Sequence, residues 1–204
     1  LFKEIKSFIK NAEDVFDLLD SLEFYAYNYI ALGNSDDQLW NTDKELRINI
    51  NVLKAFRVTQ WKPLALVAYE KLSNQDFKKL INAIVSISFR YNVVAKLQTN
   101  EMEKVYSKAA INLYKGNTQN LQMVINDLKS IYVNDEDFRN YFMTKQFRTA
   151  NSTEQKLARY TLYKLESQEN NGNSYDFTID DGTIEHILPE NPSEDWLEFF
   201  DEES

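Results

Sequence analysis

A single histidine, His186, is the residue best suited by its chemistry to act as a general base near neutral pH. Its imidazole gains and loses a proton in the physiological range and can therefore accept a proton from water. The preceding Glu185 offers carboxylate oxygens, which are ligands that Mg²⁺ prefers. A metal ion beside such a base stabilises the charge that develops when a phosphodiester is cleaved. Metal-dependent hydrolysis is one interpretation; a partly exposed histidine on a small hairpin is the other.

The residues around His186 form a pattern typical of two short strands. The stretches "YDFTI" (175–179) and "TIEHIL" (183–188) are rich in β-forming residues, and Asp181-Gly182 lies between them, which predicts a β-hairpin. Neighbouring side chains of a strand point to opposite faces, so Glu185 and His186 could share a metal only at a strand end. Pro189 predicts such an end, and "SEDWLEFF" (193–200) then predicts a helix capped at Ser193.

Other catalytic motifs are missing from the sequence. It contains no GxGxxG and no GxxxxGK[ST] phosphate-binding loop. With one histidine and no cysteine, it cannot form a zinc finger or an HExxH metalloprotease site. A Ser-His-Asp triad stays open, although no G-x-S-x-G motif supports one.

The composition indicates a folded, water-soluble protein. Hydrophobic residues make up 43% and aromatic residues 14% of the sequence, which is enough for a substantial core. The absence of cysteine is consistent with a reducing compartment, and no apolar run approaches the roughly 20 residues that span a bilayer. We therefore expect a cytoplasmic protein that does not enter membranes. Because the chain begins at Leu1 in helix-like sequence, we interpret it as a fragment of a longer protein.

Charge is unevenly distributed along the chain. Residues 165–204 hold 13 acidic and no basic residues, and residues 1–43 hold nine acidic and three basic residues. Residues 44–164 hold 20 basic and ten acidic residues, although the net charge of the whole chain is −9. A basic middle between acidic ends leaves nucleic-acid binding open. A weaker hypothesis is that the acidic tail covers the basic middle and masks it.

Helical periodicity dominates the sequence up to about residue 168. In the segment 76–97, apolar residues recur at three- and four-residue steps, and residues 12–32 behave similarly. Pro63 indicates the first turn of a helix that ends at Leu72, and Ser73 or Asn74 is suited to cap the next one. Further helices are predicted near 3–10, 38–57, 101–115, 118–131, 135–147 and 153–168.

Together these patterns predict a mainly α fold. The helical domain covers residues 1–168 as a multi-helix, bundle-like body. Residues 169–204 form a polar linker followed by the short β-hairpin and the C-terminal helix. We read this last part as the start of an incomplete ββα-metal unit.

Two motifs give the chain a resemblance to a known family. The segment "DGTIEHILPENPSEDW" (181–196) resembles the start of a His-Me finger (HNH-type) nuclease motif, in which a D/E-H-I-x-P run ends the first strand. With "ARYTLYKLE" (158–166), it resembles the C-terminal domain of the GmrSD-like type IV restriction endonucleases, which are modification-dependent. The stretches "WKPLALVAYE" (61–70) and "SFRYNVV" (88–94) are also similar to the helical middle region of that family.

The resemblance implies a bacterial defence enzyme that cleaves DNA with Mg²⁺ or another divalent metal. It places His186 at the general-base position and Glu185 at a candidate metal-ligand position. Nucleotide dependence would come only from an N-terminal ParB-like domain that this chain does not contain. The family also needs a downstream Asn and basic residues, whereas only Asn191 and acidic residues follow Pro189. We therefore expect this fragment to be inactive alone and to bind no metal.

The helical body could contact DNA directly through basic residues of its middle region. The candidates for phosphate contacts are Lys78, Lys79, Arg90, Lys145, Arg148, Lys156 and Arg159. The alternative interpretation of these charges is an ordinary soluble helix surface. The alternative function is a non-catalytic, all-helical protein-interaction module in which "TIEHILP" is incidental.

Overall fold

The computed structural model describes residues 2–148, 150–169 and 183–184, with side chains from Ile5 onward. The α-helices of the first part are α1 Phe2–Phe8, α2 Ala12–Ala31, α3 Lys44–Ala55, α4 Lys62–Lys71 and α5 Asn74–Ser88. They are followed by α6 Thr99–Tyr114, α7 Leu121–Asp127, α8 Asp135–Met143 and α9 Ser152–Glu169. Short 3₁₀ turns cover Gln38–Trp40 and Lys129–Ile131, and a π-helical turn covers Phe89–Val94.

Polar side chains define where several helices begin. Asn11 starts α2 with a reciprocal capping box, in which the Asp14 carboxylate accepts from the Asn11 backbone amide. Ser73 caps α5, and its Oγ lies 3.1 Å from the backbone nitrogen of Asp76. The predicted helix over 38–57 divides because the Asp43 carboxylate accepts a hydrogen bond from the Leu46 amide and so starts α3 there. These caps satisfy amides that otherwise lack a partner.

The hydrophobic core is centred on α5. Its residues Phe77, Leu80, Ile81 and Ile84 are fully buried, and the helix packs against α3, α4, α7 and the π-helical turn. The indole nitrogens of two buried tryptophans donate to backbone carbonyls, from Trp40 to Ala31 over 2.8 Å and from Trp61 to Val58 over 3.0 Å. Both indole N–H groups therefore keep a hydrogen bond within the buried core.

The predicted helix over 76–97 is interrupted after Ser88. The chain widens into the π-helical turn Phe89–Val94, and Lys96 then adopts a left-handed conformation with φ of 51°. A lysine in this conformation is uncommon and ends the helical run. Gly116, with φ of 75°, follows the end of α6 and occupies a backbone region that favours glycine.

The chain divides into two compact units, Leu1–Phe147 and Arg148–Ser204. The described part of the second unit consists mainly of α9, in which Leu157, Ala158, Tyr160 and Thr161 are buried. The predicted domain boundary at 168/169 stays a prediction. No helix in the described ranges is long and apolar enough to cross a membrane.

The prediction of a β-hairpin within the fold is wrong. The structure is all-helical, and no strand is present among the residues it describes. Thr183 and Ile184, which belong to the predicted second strand, have no regular secondary structure. The rest of the predicted hairpin and the predicted helix over 193–200 lie outside the described residues. Strong β-forming residues beside Asp-Gly are a local preference, and local preference alone does not make a sheet.

Candidate functional site

The predicted general base His186 and the predicted metal ligand Glu185 lie outside the described residues, as does the acidic tail that follows them. Of the two described residues before them, Thr183 is exposed and Ile184 is half-buried. In the described ranges there is no group of three or more His, Asp or Glu that could hold a metal ion. The described helices therefore offer no alternative metal centre to the predicted one.

Lys78, the first predicted phosphate contact, is used within the fold. Its ammonium forms an ion pair with the carboxylate of Asp43, the residue that caps α3. Burial of Asp43 opposes its ionisation, but the bonds from Lys78 and from the Leu46 amide outweigh that effect. They hold the pKa of the Asp43 carboxyl below its usual value. A phosphate would have to compete with this pair for Lys78.

Arg90 is also engaged within the protein. Its Nη1 donates to the Val133 carbonyl over 2.9 Å and lies 2.7 Å from a carboxylate oxygen of Asp135. The guanidinium also stacks over two aromatic rings, 4.8 Å from the Tyr132 centroid and 4.6 Å from the Phe138 centroid. This arrangement fastens the π-helical turn to the start of α8, which is a structural role for Arg90.

The other five candidates differ in exposure. Lys145 and Arg159 are half-buried and interact with protein groups, and the Lys145 ammonium lies 4.7 Å from the Phe147 ring centroid. Lys79, Arg148 and Lys156 are exposed, and none of them forms an ion pair with another described residue. Of the seven predicted phosphate contacts, only these three are exposed and form no ion pair with a described residue, and their contact with DNA stays a prediction.

A groove beneath α2 contains a cluster of polar side chains that the sequence did not reveal. The Tyr25 hydroxyl donates to Glu70 over 2.5 Å, and the other carboxylate oxygen of Glu70 lies 2.6 Å from the Lys71 ammonium. Lys71 also lies 5.7 Å from the ring centroid of Tyr114. The groove is lined by Leu18, Asp20, Ser21, Phe24, Tyr25, Glu70, Lys71 and Tyr114.

The pKa shifts in this groove do not favour acid–base catalysis near neutral pH. Burial, followed by the bond to Glu70, raises the pKa of Tyr25 to about 12. The bonds from Lys71 and Tyr25 hold the pKa of Glu70 below its usual value. Tyr25 therefore stays protonated and Glu70 ionised around neutral pH, so neither is poised to exchange a proton there. No short sequence motif signals the pairing of Tyr25 with Glu70, which are 45 residues apart.

Comparison with known families relates the carboxyl-terminal part of the chain to one of them. Residues 132–204 match the GmrSD restriction endonucleases, C-terminal domain. This part of the chain is GmrSD-like. The match confirms the resemblance predicted from 158–166 and 181–196, and it includes His186. The stretches 61–70 and 88–94 lie outside the matched residues. Neither the curated proteins nor the solved structures contain a significant match to this chain.

Helix α9 is the longest helix among the described residues of the GmrSD-like part. Tyr160, the first aromatic residue of the segment 158–166, is buried, and burial raises the pKa of its phenol above the usual value. Leu162 and Leu165 of the same segment are exposed. The segment thus spans two different surfaces of one helix, of which only the Tyr160 side is buried.

Proposed function

We propose that this chain is part of a modification-dependent DNA endonuclease, in which His186 acts as the general base. The observation that carries the proposal is the match of residues 132–204 to a restriction-endonuclease domain, because the matched range contains the sole histidine. In this reaction the imidazole of His186 accepts the proton of the attacking water. Glu185 is the proposed ligand of Mg²⁺ or another divalent ion, which would stabilise the charge on the cleaved phosphodiester.

The helical body is proposed as a scaffold that also contacts DNA phosphates. The excess of basic residues over 44–164 and the exposure of Lys79, Arg148 and Lys156 support this role. Lys78 and Arg90 are not included, because both are bound to carboxylates within the fold. Residues 165–204 carry no Lys or Arg and would repel phosphate, so any attraction of DNA to this chain comes from residues 1–164.

Cleavage by the full-length gene product tests the catalytic part of the proposal. We expect His186→Ala to abolish Mg²⁺-dependent cleavage of DNA that carries modified bases, and Glu185→Gln to raise the Mg²⁺ concentration needed for half-maximal cleavage. Thr183→Ala is the matched control, because Thr183 lies in the same segment and is exposed. As a check of folding, all three variants should show the same thermal transition by circular dichroism. Full cleavage by His186→Ala would remove His186 from the mechanism.

Salt-dependent binding tests the DNA-contact part independently of cleavage. The 204-residue chain is titrated with duplex DNA at several salt concentrations, which gives the slope of log affinity against log salt. Each of Lys79→Gln, Arg148→Gln and Lys156→Gln should reduce the magnitude of that slope by about 1, which is the effect of losing one phosphate contact. Lys115→Gln, an exposed change near the end of α6, is the control and should leave the slope unchanged. Affinity that is undetectable at low salt, or insensitive to salt, would contradict the proposed DNA contact.

A second candidate function is a protein-interaction module. One observation favours it: α2 carries a long apolar surface that the rest of the described protein leaves exposed. The two functions are compatible in one polypeptide, since α2 lies outside the residues that match the restriction-endonuclease domain.

A further inference from the structure

The groove beneath α2 is large enough to hold a small organic molecule. Its volume is about 800 Å³, and small-molecule sites in proteins typically measure about 300–1,000 Å³. Phe24, Tyr25 and Tyr114 contribute aromatic rings to its lining, and Leu18 contributes an aliphatic side chain. Such a lining suits a ligand with an apolar part, and the polar groups of the groove then select the head group of that ligand.

The charged side chains of the groove carry one negative charge in excess. They are the carboxylates of Asp20 and Glu70 and the ammonium of Lys71. Lys71 is engaged within the groove, because it forms an ion pair with Glu70. Asp20, by contrast, is exposed and makes no hydrogen bond or ion pair with another described residue. The charged group that complements this groove is therefore a cation beside Asp20.

Two helix ends add to the negative potential of the groove. Glu70 and Lys71 are the last two residues of α4, and Tyr114 is the last residue of α6. The carboxyl end of a helix is equivalent to about half a negative charge. The last turn of α6 has no basic residue, and α2 has five acidic residues and no Lys or Arg. The groove thus favours a cation and opposes an anion such as a phosphate.

The groove already holds one ammonium, that of Lys71, and its contacts show what a second one would find. The Lys71 nitrogen lies 2.6 Å from a Glu70 carboxylate oxygen and 5.7 Å from the centroid of the Tyr114 ring. A carboxylate and an aromatic face both stabilise ammonium ions. Asp20 and Phe24 offer the same two groups as neighbours four residues apart on α2. A primary ammonium suits them because its N–H groups donate to the carboxylate.

We propose that the groove beneath α2 binds a primary ammonium carried on an apolar chain. The ammonium donates hydrogen bonds to the Asp20 carboxylate, and the apolar chain lies against the rings of Phe24 and Tyr114. Two sources supply this chemistry, a free alkylamine and the side chain of a lysine in another protein. The groove lies outside residues 132–204, so the inference stands whether or not the chain acts on DNA.

Ligands that share one apolar chain and differ in charge test the proposal on the 204-residue chain. They are n-pentylammonium, n-pentanol and n-pentanoate. Heteronuclear NMR titration should show saturable shifts of the Ser21 and Tyr114 amides with pentylammonium, and at least fivefold weaker binding of the other two. Equal affinity for pentylammonium and pentanol would overturn the proposal, and so would the absence of saturable shifts with pentylammonium.

A lysine derivative distinguishes the two sources of the ammonium. Nα-acetyl-lysine methylamide presents a lysine side chain on a blocked backbone and is titrated in the same way. Affinity equal to that of pentylammonium would assign the groove to a lysine side chain of a polypeptide. Binding at least fivefold weaker would assign it to a free alkylamine, because the backbone would then exclude the side chain.

Substitution of Asp20 separates binding in the groove from general attraction to an acidic helix. Asp20→Asn should weaken the binding of pentylammonium at least threefold, because it removes the charged acceptor. Glu23→Gln is the matched control, since Glu23 is an exposed carboxylate of α2 that does not line the groove, and it should leave affinity unchanged. Equal effects of the two substitutions would overturn the proposal. Both side chains are exposed, so thermal unfolding should not change.

Removal of the resident ammonium tests whether charge draws the ligand. Lys71→Met leaves Glu70 and the Tyr114 ring without their present cation, so pentylammonium should bind at least threefold more tightly. Lys79→Met, which removes an exposed cation of α5 outside the groove, is the control and should leave affinity unchanged. Unchanged or weaker binding to the Lys71→Met variant would overturn the selection of a cation by the groove.

Discussion

Helices α2 and α5 share local sequence features, but they lie in opposite environments. Both begin at a capping side chain, Asn11 for α2 and Ser73 for α5, and both carry apolar residues at helical spacing. In α5 this stripe is buried, with Ile84 at 0% exposure, whereas in α2 it faces solvent. Periodicity therefore predicts which face of a helix is apolar and says nothing about what covers that face.

The difference between the two helices lies in their neighbours. Four elements surround α5: α3, α4, α7 and the π-helical turn. Helix α2 packs on α4, and the contacts that hold it involve its carboxyl-terminal half, as in the bond from Tyr25 to Glu70 and the placement of the Lys62 ammonium 4.3 Å from the Tyr29 ring centroid. One helix is a centre of the core and the other a projecting surface element.

Shortening one apolar side chain in each helix gives the largest contrast. We expect Ile84→Ala to lower the free energy of unfolding by about 2–5 kcal/mol, because it leaves a cavity in a fully packed site. Leu22→Ala should change it by no more than about 0.5 kcal/mol, because Leu22 is exposed. Urea denaturation followed by circular dichroism measures both values. Equal losses would mean that α2 is packed as tightly as α5.

The second contrast uses two cations that the sequence grouped together, Lys79 on α5 and Arg90 just after it. Arg90→Met should cost about 1–3 kcal/mol, because it removes charge-assisted bonds to the Val133 carbonyl and to Asp135. Lys79→Met, the matched control, should cost no more than about 0.5 kcal/mol. Arg90→Lys should recover part of the loss, since it restores the charge without the planar fork. A loss from Lys79→Met as large as that from Arg90→Met would contradict these assignments.

Arg90 also shows where sequence reasoning about the site reached its limit. The basic composition of 44–164 was visible, but whether a given cation faces solvent depends on residues far along the chain. Arg90 is bound by Val133, 43 residues away, and Lys78 by Asp43. Such long-range pairs leave no local pattern. The glutamate–histidine pair could be singled out because its residues are adjacent, and their roles stay predictions. The match over 132–204 confirms the GmrSD-like resemblance to which that segment pointed.

Helix positions were easier to predict than helix ends. Caps and periodicity are local, so α2, α4, α6 and α9 were anticipated, and Pro63 does lie in the first turn of α4. The predicted helix over 38–57 in fact divides at Asp43. This division was missed because apolar residues continue at helical spacing across Asp43, although aspartate is a common capping residue. The β-hairpin was wrong as part of the described fold because strand formation depends on partners that local preference does not supply.

The caps provide a third, smaller contrast. Asn11→Ala and Ser73→Ala each remove one side-chain bond to a helix amide, worth about 1 kcal/mol. Because α5 is central to the core, Ser73→Ala should lower the global free energy of unfolding by about that amount. Asn11→Ala should instead loosen the first turns of α2, which are attached to little else. Hydrogen exchange should then accelerate at Asp14 and its neighbours, with the global transition almost unchanged.

Asn11→Asp is the control for this pair of substitutions, because aspartate caps as well as asparagine does. It should keep the slow exchange of the α2 amides. A global loss from Asn11→Ala equal to that from Ser73→Ala would show that α2 unfolds together with the core, contrary to its exposure.

The smallest effect concerns the bond that joins α2 to α4. The folded-state pKa of Tyr25 is raised from 10.0 to about 12, so the stabilisation from its protonated hydroxyl is complete below pH 10 and is lost as the pH rises toward 12. The pKa of Glu70 is lowered from 4.5, so its contribution is present above pH 4.5 and is lost as the pH falls below that value. Tyr25→Phe should cost less than about 1 kcal/mol at neutral pH, because water screens the groove.

The same substitution should raise the pKa of Glu70, and Lys71→Met should raise it further, because the Lys71 bond is the larger cause of the shift. Carboxyl NMR titration of Glu70 measures both changes, and ultraviolet titration of the unaltered chain against Tyr25→Phe isolates the Tyr25 phenol. An unchanged Glu70 pKa in the Tyr25→Phe variant would mean that the hydroxyl and the carboxylate are apart in solution. Helix α2 would then be held on α4 without this hydrogen bond, by the Lys62–Tyr29 contact and by apolar contacts.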